Sequence, residues 1–148
     1  MIEKLEGSQG CFVCDTTNTN PRSLKLAIYW DSERRNTMIR LTPDSSHCGY
    51  EGIVHGGIIA SIFDDAMAWA VKKETGIWAV TATFEIRYRQ PVKIGEEYTF
   101  YGKIDSVLGK RIRTSALLKN STGKRPPGAH VFSSSMVVLY TNLTRRRR

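Results

Sequence analysis

Two periodicities divide the chain. From Gly56 to about Glu74 the apolar residues Ile59, Ile62, Phe63, Ala66 and Ala70 recur in steps of three and four, which aligns them on one face of a helix, and Gly76 follows where a helix-ending glycine belongs. Elsewhere the period is two. Leu24, Leu26, Ile28 and Trp30 alternate with Lys25, Ala27 and Tyr29, and Thr37–Thr42 is a second extended run, the pair joined by the polar DSERRN. After the helix, Ala82, Phe84, Ile86 and Tyr88 alternate with Thr81, Thr83, Glu85, Arg87 and Arg89 until Pro91 ends the run. Long strands are predicted over Glu97–Val107, Lys110–Lys119 and His130–Tyr140, whereas Cys11–Ser23, rich in Thr, Asn and Pro, reads as a loop. One long helix followed by long strands predicts an α+β fold in which an antiparallel sheet wraps the helix.

Length and composition narrow this. With 148 residues, 41% of them hydrophobic, the chain can bury one sizeable core, so one domain over 1–148 is expected, with 1–23 as an N-terminal segment. No repeat or composition shift marks a second one. No apolar run approaches a membrane span, and MIEKLEGSQG has neither the basic flank nor the apolar centre of a secretion signal; the expectation is a cytoplasmic chain without a membrane partner.

The formal charge of +8 suggests a polyanionic partner, but Arg145–Arg148 supplies four of those charges and leaves 8 − 4 = +4. A terminal Arg run reads as a solvated, disordered tail. The remaining excess suits a polyanionic small molecule as well as nucleic acid. No aromatic-plus-basic motif supports nucleic acid, so none is expected as a partner. Cys11, Cys14 and Cys48 include one CxxC. A zinc site completed by His47 and Cys48 would need adjacent ligands with poor geometry, so the thiols read as small buried groups near a turn and no metal is expected.

The head of the helix carries the candidate chemistry. Glycine costs roughly 1 kcal/mol against alanine in a helix, so Gly56 and Gly57 together at its start need a reason. Bare glycines would let a carbonyl oxygen approach the unpaired N–H groups of the first turn, the geometry of an oxyanion site. Close packing of backbone against a neighbouring strand is an equal explanation. Asp64 and Asp65 lie within the apolar segment, where a carboxylate could act as base or nucleophile. Adjacent helical residues point about 100° apart, so the two cannot serve one face, and periodicity does not choose between them.

GIVHGGIIASIFDDAMAWA resembles the signature of hotdog-fold acyl-CoA thioesterases of the phenylacetate-degradation type, in which an HGG motif is followed nine residues after its histidine by a catalytic Asp. Here that residue is Asp64. GCFVC with a later NP and LKL is similar to the N-terminal segment of many members, and TATFEIRYRQPVKIGE to their central strand and turn. The resemblance implies a hotdog fold, a long central helix wrapped by a curved antiparallel sheet of five to six strands. It implies hydrolysis of an acyl-CoA thioester, with Asp64 as base or nucleophile, the Gly56 N–H polarising the carbonyl, Gly57 beside it, His55 holding the loop and Thr81 placing water or carboxylate. It further implies a homodimer, or a dimer of dimers, with the site built between chains, and no cofactor beyond the coenzyme A of the substrate. By analogy with nucleotide contacts in relatives, Arg87, Arg89, Lys93, Lys110, Arg111 and Arg113 are candidates for the coenzyme A phosphates, each also readable as a solvated strand residue. Some relatives carry a helpful Asn six residues before the motif histidine; here that position is Gly49, with His47 and Tyr50 as candidate substitutes. A non-catalytic acyl-CoA binding protein on the same fold is the alternative.

Overall fold

In the computed structural model, which describes residues 1–121 and the backbone of 129–137, the helical stripe becomes one helix, α1 (Gly56–Thr75). Five main strands form an antiparallel sheet with it: β2 (Ile28–Asp31), β3 (Asn36–Leu41), β7 (Tyr98–Leu108), β8 (Arg111–Asn120) and β9 (Ala129–Val137). Short strands β1 (Ile2–Lys4) and β6 (Arg87–Tyr88) close the two edges, in the order β1-β2-β3-β7-β8-β9-β6. A small separate hairpin, β4 (Cys48–Tyr50) with β5 (Ile53–Val54), leads into the helix.

All five residues of the predicted stripe are buried, and they meet the inward residues of the sheet, Ile28, Ile39, Phe100, Ile112 and Leu118. Each such side chain contributes on the order of 1.5–3 kcal/mol relative to exposure. Phe63 meets Phe100 edge to face, centroids 5.0 Å apart. Helix and sheet backbones come close at Gly102 of β7, where an added Cβ would stand 2.6 Å from both the carbonyl carbon and oxygen of Ala66. Beside it the Thr37 hydroxyl donates to the Ala66 carbonyl at 2.6 Å, so a buried β-strand hydroxyl is satisfied by the helix backbone. The helix ends at Gly76, φ 73°, whose N–H donates to Lys72 O.

Two expectations change. The run Leu24–Trp30 becomes strand only from Ile28; Leu24 and Leu26 instead donate their N–H groups to Phe12 O and Val13 O at 2.8 Å, holding the N-terminal loop. The predicted strand over 81–88 forms only at Arg87–Tyr88, where β9 offers a partner. Residues 79–86 have no ladder among the described residues, so the pleat that would have turned Ala82 inward is absent: Ala82 is exposed, and Thr81 faces the helix. Residues 138–140 of the last predicted strand and Arg145–Arg148 lie outside the described residues. No helix among the described residues is long and apolar enough to cross a membrane.

Candidate active site

His55 caps α1. Its backbone is extended, φ −61° and ψ 133°, and its Nδ1 accepts the Gly57 N–H at 2.8 Å. The His55 carbonyl accepts from Ile58 and Ile59, and the His55 N–H donates to His47 O at 2.8 Å. The N–H of Gly56 is the one left at the helix start: no acceptor among the described residues takes it. Gly57 therefore supplies absence of bulk, since a Cβ there would stand 3.0 Å from His55 Nδ1, while the donor is at Gly56.

Gly56 lies under Tyr88 of β6. The phenol donates to Gly56 O at 2.8 Å, and a Cβ at Gly56 would be 3.3 Å from the ring. Burial raises the Tyr88 phenol above its ordinary value, keeping it a donor. A cleft of about 350 Å³ opens here, lined by Tyr50, His55, Gly56, Ile59, Tyr88 and Arg89. A hollow of about 380 Å³ on the outer face of β7 and β8 is slightly larger but shares none of the motif residues. Tyr88 was legible only as one apolar position of a strand; nothing in the sequence aligns it with Gly56. Gly49 packs against His55, where a Cβ would be 3.0 Å from His55 Cα, so an Asn side chain does not fit without a shift. Its two candidate substitutes part company: His47 Nδ1 accepts the Asp44 N–H in a capping box, while Tyr50 is 82% exposed at the cleft rim.

The acids separate as their 100° offset requires. Asp64, half-buried, accepts from the Thr81 hydroxyl at 2.5 Å. Asp65 turns to the N-terminal loop, where its Oδ1 and Cys11 Sγ share a hydrogen bond of 3.3 Å. Burial pushes Asp65 up to about 7. Cys11 is drawn down to about 5 by the hydrogen bond from the Cys14 side chain and by the N–H groups of Cys14 and Val13, while Cys14 is raised by that same side-chain bond and by burial. His47 and Cys48 stand on the hairpin side and do not join the CxxC.

Distance along the helix limits what one chain can do. Gly56 and Asp64 are eight residues apart, about 12 Å at 1.5 Å per residue, too far for both to touch one carbonyl group. The cations disperse as well. Arg89 lines the cleft, Lys93 is exposed near its floor and Arg87 pairs with Glu85 at 3.2 Å. Lys110, Arg111 and Arg113 sit at the β7–β8 turn; Leu117 and Arg87 both pair with His130, so the turn lies four to six residues away along β8, roughly 13–20 Å. Within one chain they do not join Arg89.

Comparison with known proteins places the chain in a family. The thioesterase superfamily model matches residues 51–126, just over half of the chain. An uncharacterised Schizosaccharomyces pombe protein is 31% identical over 108 residues, 71% of this chain and 62% of that protein. A thioesterase superfamily protein of known crystal structure superposes with TM-score 0.68 at 25% identity, over 82% of this chain and 58% of that one. A Streptococcus mutans protein crystallised with acetyl CoA superposes with TM-score 0.62 at 20% identity, over 70% and 81%. The chain thus spans about three fifths of the length of the first two relatives.

Proposed function

Because the chain belongs to the thioesterase superfamily, we propose that it hydrolyses acyl-CoA thioesters. The observation that carries the reading is the helix start, where His55 satisfies the neighbouring N–H groups and Gly56, whose N–H remains, lines the cleft. A thioester oxygen bound there would have its developing negative charge met by that N–H and by the positive end of the helix. Asp64, oriented by Thr81, then delivers water or attacks the carbonyl carbon itself. Overall, water oxygen bonds to the acyl carbon, the C–S bond breaks, and CoA leaves as the thiol.

The 12 Å between Gly56 and Asp64 makes this a two-chain site in our reading: Gly56 of one copy and Asp64 of another converge in a homodimer, the minimal unit of a dimer of dimers. Support comes from the segment before Tyr88, where the apolar Val80 stands exposed next to Thr81, the partner of Asp64. Arg89 is the nearest cation for a coenzyme A phosphate, and a second chain could bring the β7–β8 turn toward it. That a Streptococcus mutans structural relative was crystallised with acetyl CoA favours that substrate class.

Thiol release from short, medium, long and aromatic acyl-CoAs tests the reading, with wild type beside Asp64→Asn and Asp65→Asn. Turnover that collapses in Asp64→Asn and survives in Asp65→Asn is expected. Binding of acyl-CoA without hydrolysis would hand the protein to the non-catalytic alternative, and a loss that follows Asp65 alone would remove Asp64 from the catalytic role.

A further inference from the structure

The N-terminal loop builds a second polar cluster that thioester hydrolysis does not use. Residues 8–15 fold as successive turns, and Cys11 Sγ accepts the N–H groups of Val13 and Cys14, both at 3.4 Å. Cys14, 1% exposed, accepts from the Ser8 N–H at 3.4 Å and from the Trp69 indole Nε1 at 3.3 Å. Four N–H donors therefore converge on two sulfurs. A neutral thiol is a weak acceptor, so these donors would meet the sulfurs better once a bound cation has taken the place of the thiol protons. From α1, Asp65 enters the same space, its Oδ1 accepting from Cys11 Sγ at 3.3 Å, and its Oδ2 is buried without a hydrogen-bond partner among the described residues. Such an orphaned carboxylate oxygen is costly unless a cation or proton meets it.

The two sulfurs and one carboxylate oxygen lie within 4.8 Å of one another. A tetrahedral zinc ion with Zn–S about 2.3 Å and Zn–O about 2.1 Å sets its ligands about 3.5–3.8 Å apart, so the group needs to close by no more than about 1 Å. We propose that Cys11, Cys14 and Asp65 form a zinc site, three protein ligands with water in the fourth position on the half-exposed Cys11 side. Binding displaces the protons the thiols carry and neutralises two of three converging negative charges. The ion would pin the N-terminal loop to the helix one residue from Asp64. The pattern hides in the sequence because the third ligand is 51 residues beyond Cys14, on a helix whose facing only the fold decides.

The full-length protein, reduced and freed of metal by chelator, is titrated with zinc chloride against a chromophoric chelator, and separately with cobalt chloride. One zinc per chain is expected, with a thiolate-to-cobalt charge-transfer band and a tetrahedral visible spectrum. Cys11→Ser and Cys14→Ser should each weaken zinc more than the roughly 10–100-fold typical of an outer-shell partner, and Asp65→Asn should weaken it as well. Cys48→Ser should leave it unchanged. Cys11→Ser, at a half-exposed position, serves if Cys14→Ser fails to fold, and the wild-type cobalt spectrum needs no variant. Reduced wild type that takes up no stoichiometric zinc, a cobalt spectrum without thiolate bands, or affinity undiminished in Cys11→Ser would overturn the site; ready formation of a Cys11–Cys14 disulfide in a chain that binds no zinc would reassign the pair to redox chemistry.

Discussion

Mixing two inactive variants should restore activity to about a quarter of wild type. Gly56→Pro removes the single leftover donor of the helix start, on a backbone suited to it, because proline is favoured at the first helical position and His55, at ψ 133°, already has the backbone that precedes a proline; its Cβ would stand 3.3 Å from the Tyr88 ring, which must shift by a few tenths of an ångström. Loss of one such donor typically lowers kcat by about 10²–10³. Asp64→Asn removes the acid. If Gly56 and Asp64 acted within one chain, every site in a mixture would carry one lesion. The proposed two-chain site, drawn from the 12 Å that separates them along α1, would instead put the two groups of one chain in different sites of a two-fold dimer. Random reassortment of equal amounts makes about half the dimers mixed, and each mixed dimer holds one site with both groups intact and one with neither, so about one site in four works. The assay is thiol release from the best acyl-CoA after the two variants are unfolded together, refolded and compared with each alone. Recovery near a quarter supports the two-chain site. A mixture no more active than its components, while mass spectrometry of intact complexes shows mixed dimers, would refute it.

Three further outcomes follow from the same structure. Thr81→Ala should lower kcat by about 10–100-fold, the range for a hydrogen bond to a charged group, with KM little changed, while Thr81→Ser should retain most activity because it keeps the donor to Asp64; steady-state kinetics on the three proteins decides. Gly102→Ala should destabilise by about 1–3 kcal/mol, because its Cβ would meet the Ala66 backbone at 2.6 Å and the helix must move; urea midpoints at constant slope measure it. Burial raises Asp65 from its ordinary carboxylate value to about 7, so in metal-free protein its contribution favours the folded state fully below pH about 4 and is lost as pH rises through about 7. Subtracting the urea-stability profile of Asp65→Asn from that of wild type should reveal this decline, and a difference that is flat or rises over that range would contradict the burial of Asp65.

The residues of one element were enough to read α1 correctly: the five-residue stripe, the two glycines at its head and Gly76 at its end are local signals of period and backbone freedom, and each stands where the pattern put it. The strands β3, β7 and β8 were legible for the same reason, with ends shifted by about a residue. Alternation over 81–88 misled because a strand needs a neighbour as well as a pattern, and β9 supplies one only for Arg87 and Tyr88. The motif spacing pointed to Asp64, but whether Asp64 or Asp65 faces Thr81 depends on how the helix is rotated against the sheet, and that rotation is set by the contact of Gly102 and Thr37 with Ala66. The same rotation carries Asp65 to Cys11 and Cys14, and the hairpin before the helix brings Tyr50, and β6 brings Tyr88, to one cleft. Sequence alone determined which residues are apolar, bare or ionisable and at what interval along each element; which of them meet across 30 or 50 residues was decided by packing, since distance in space is a property of the folded core and not of the chain.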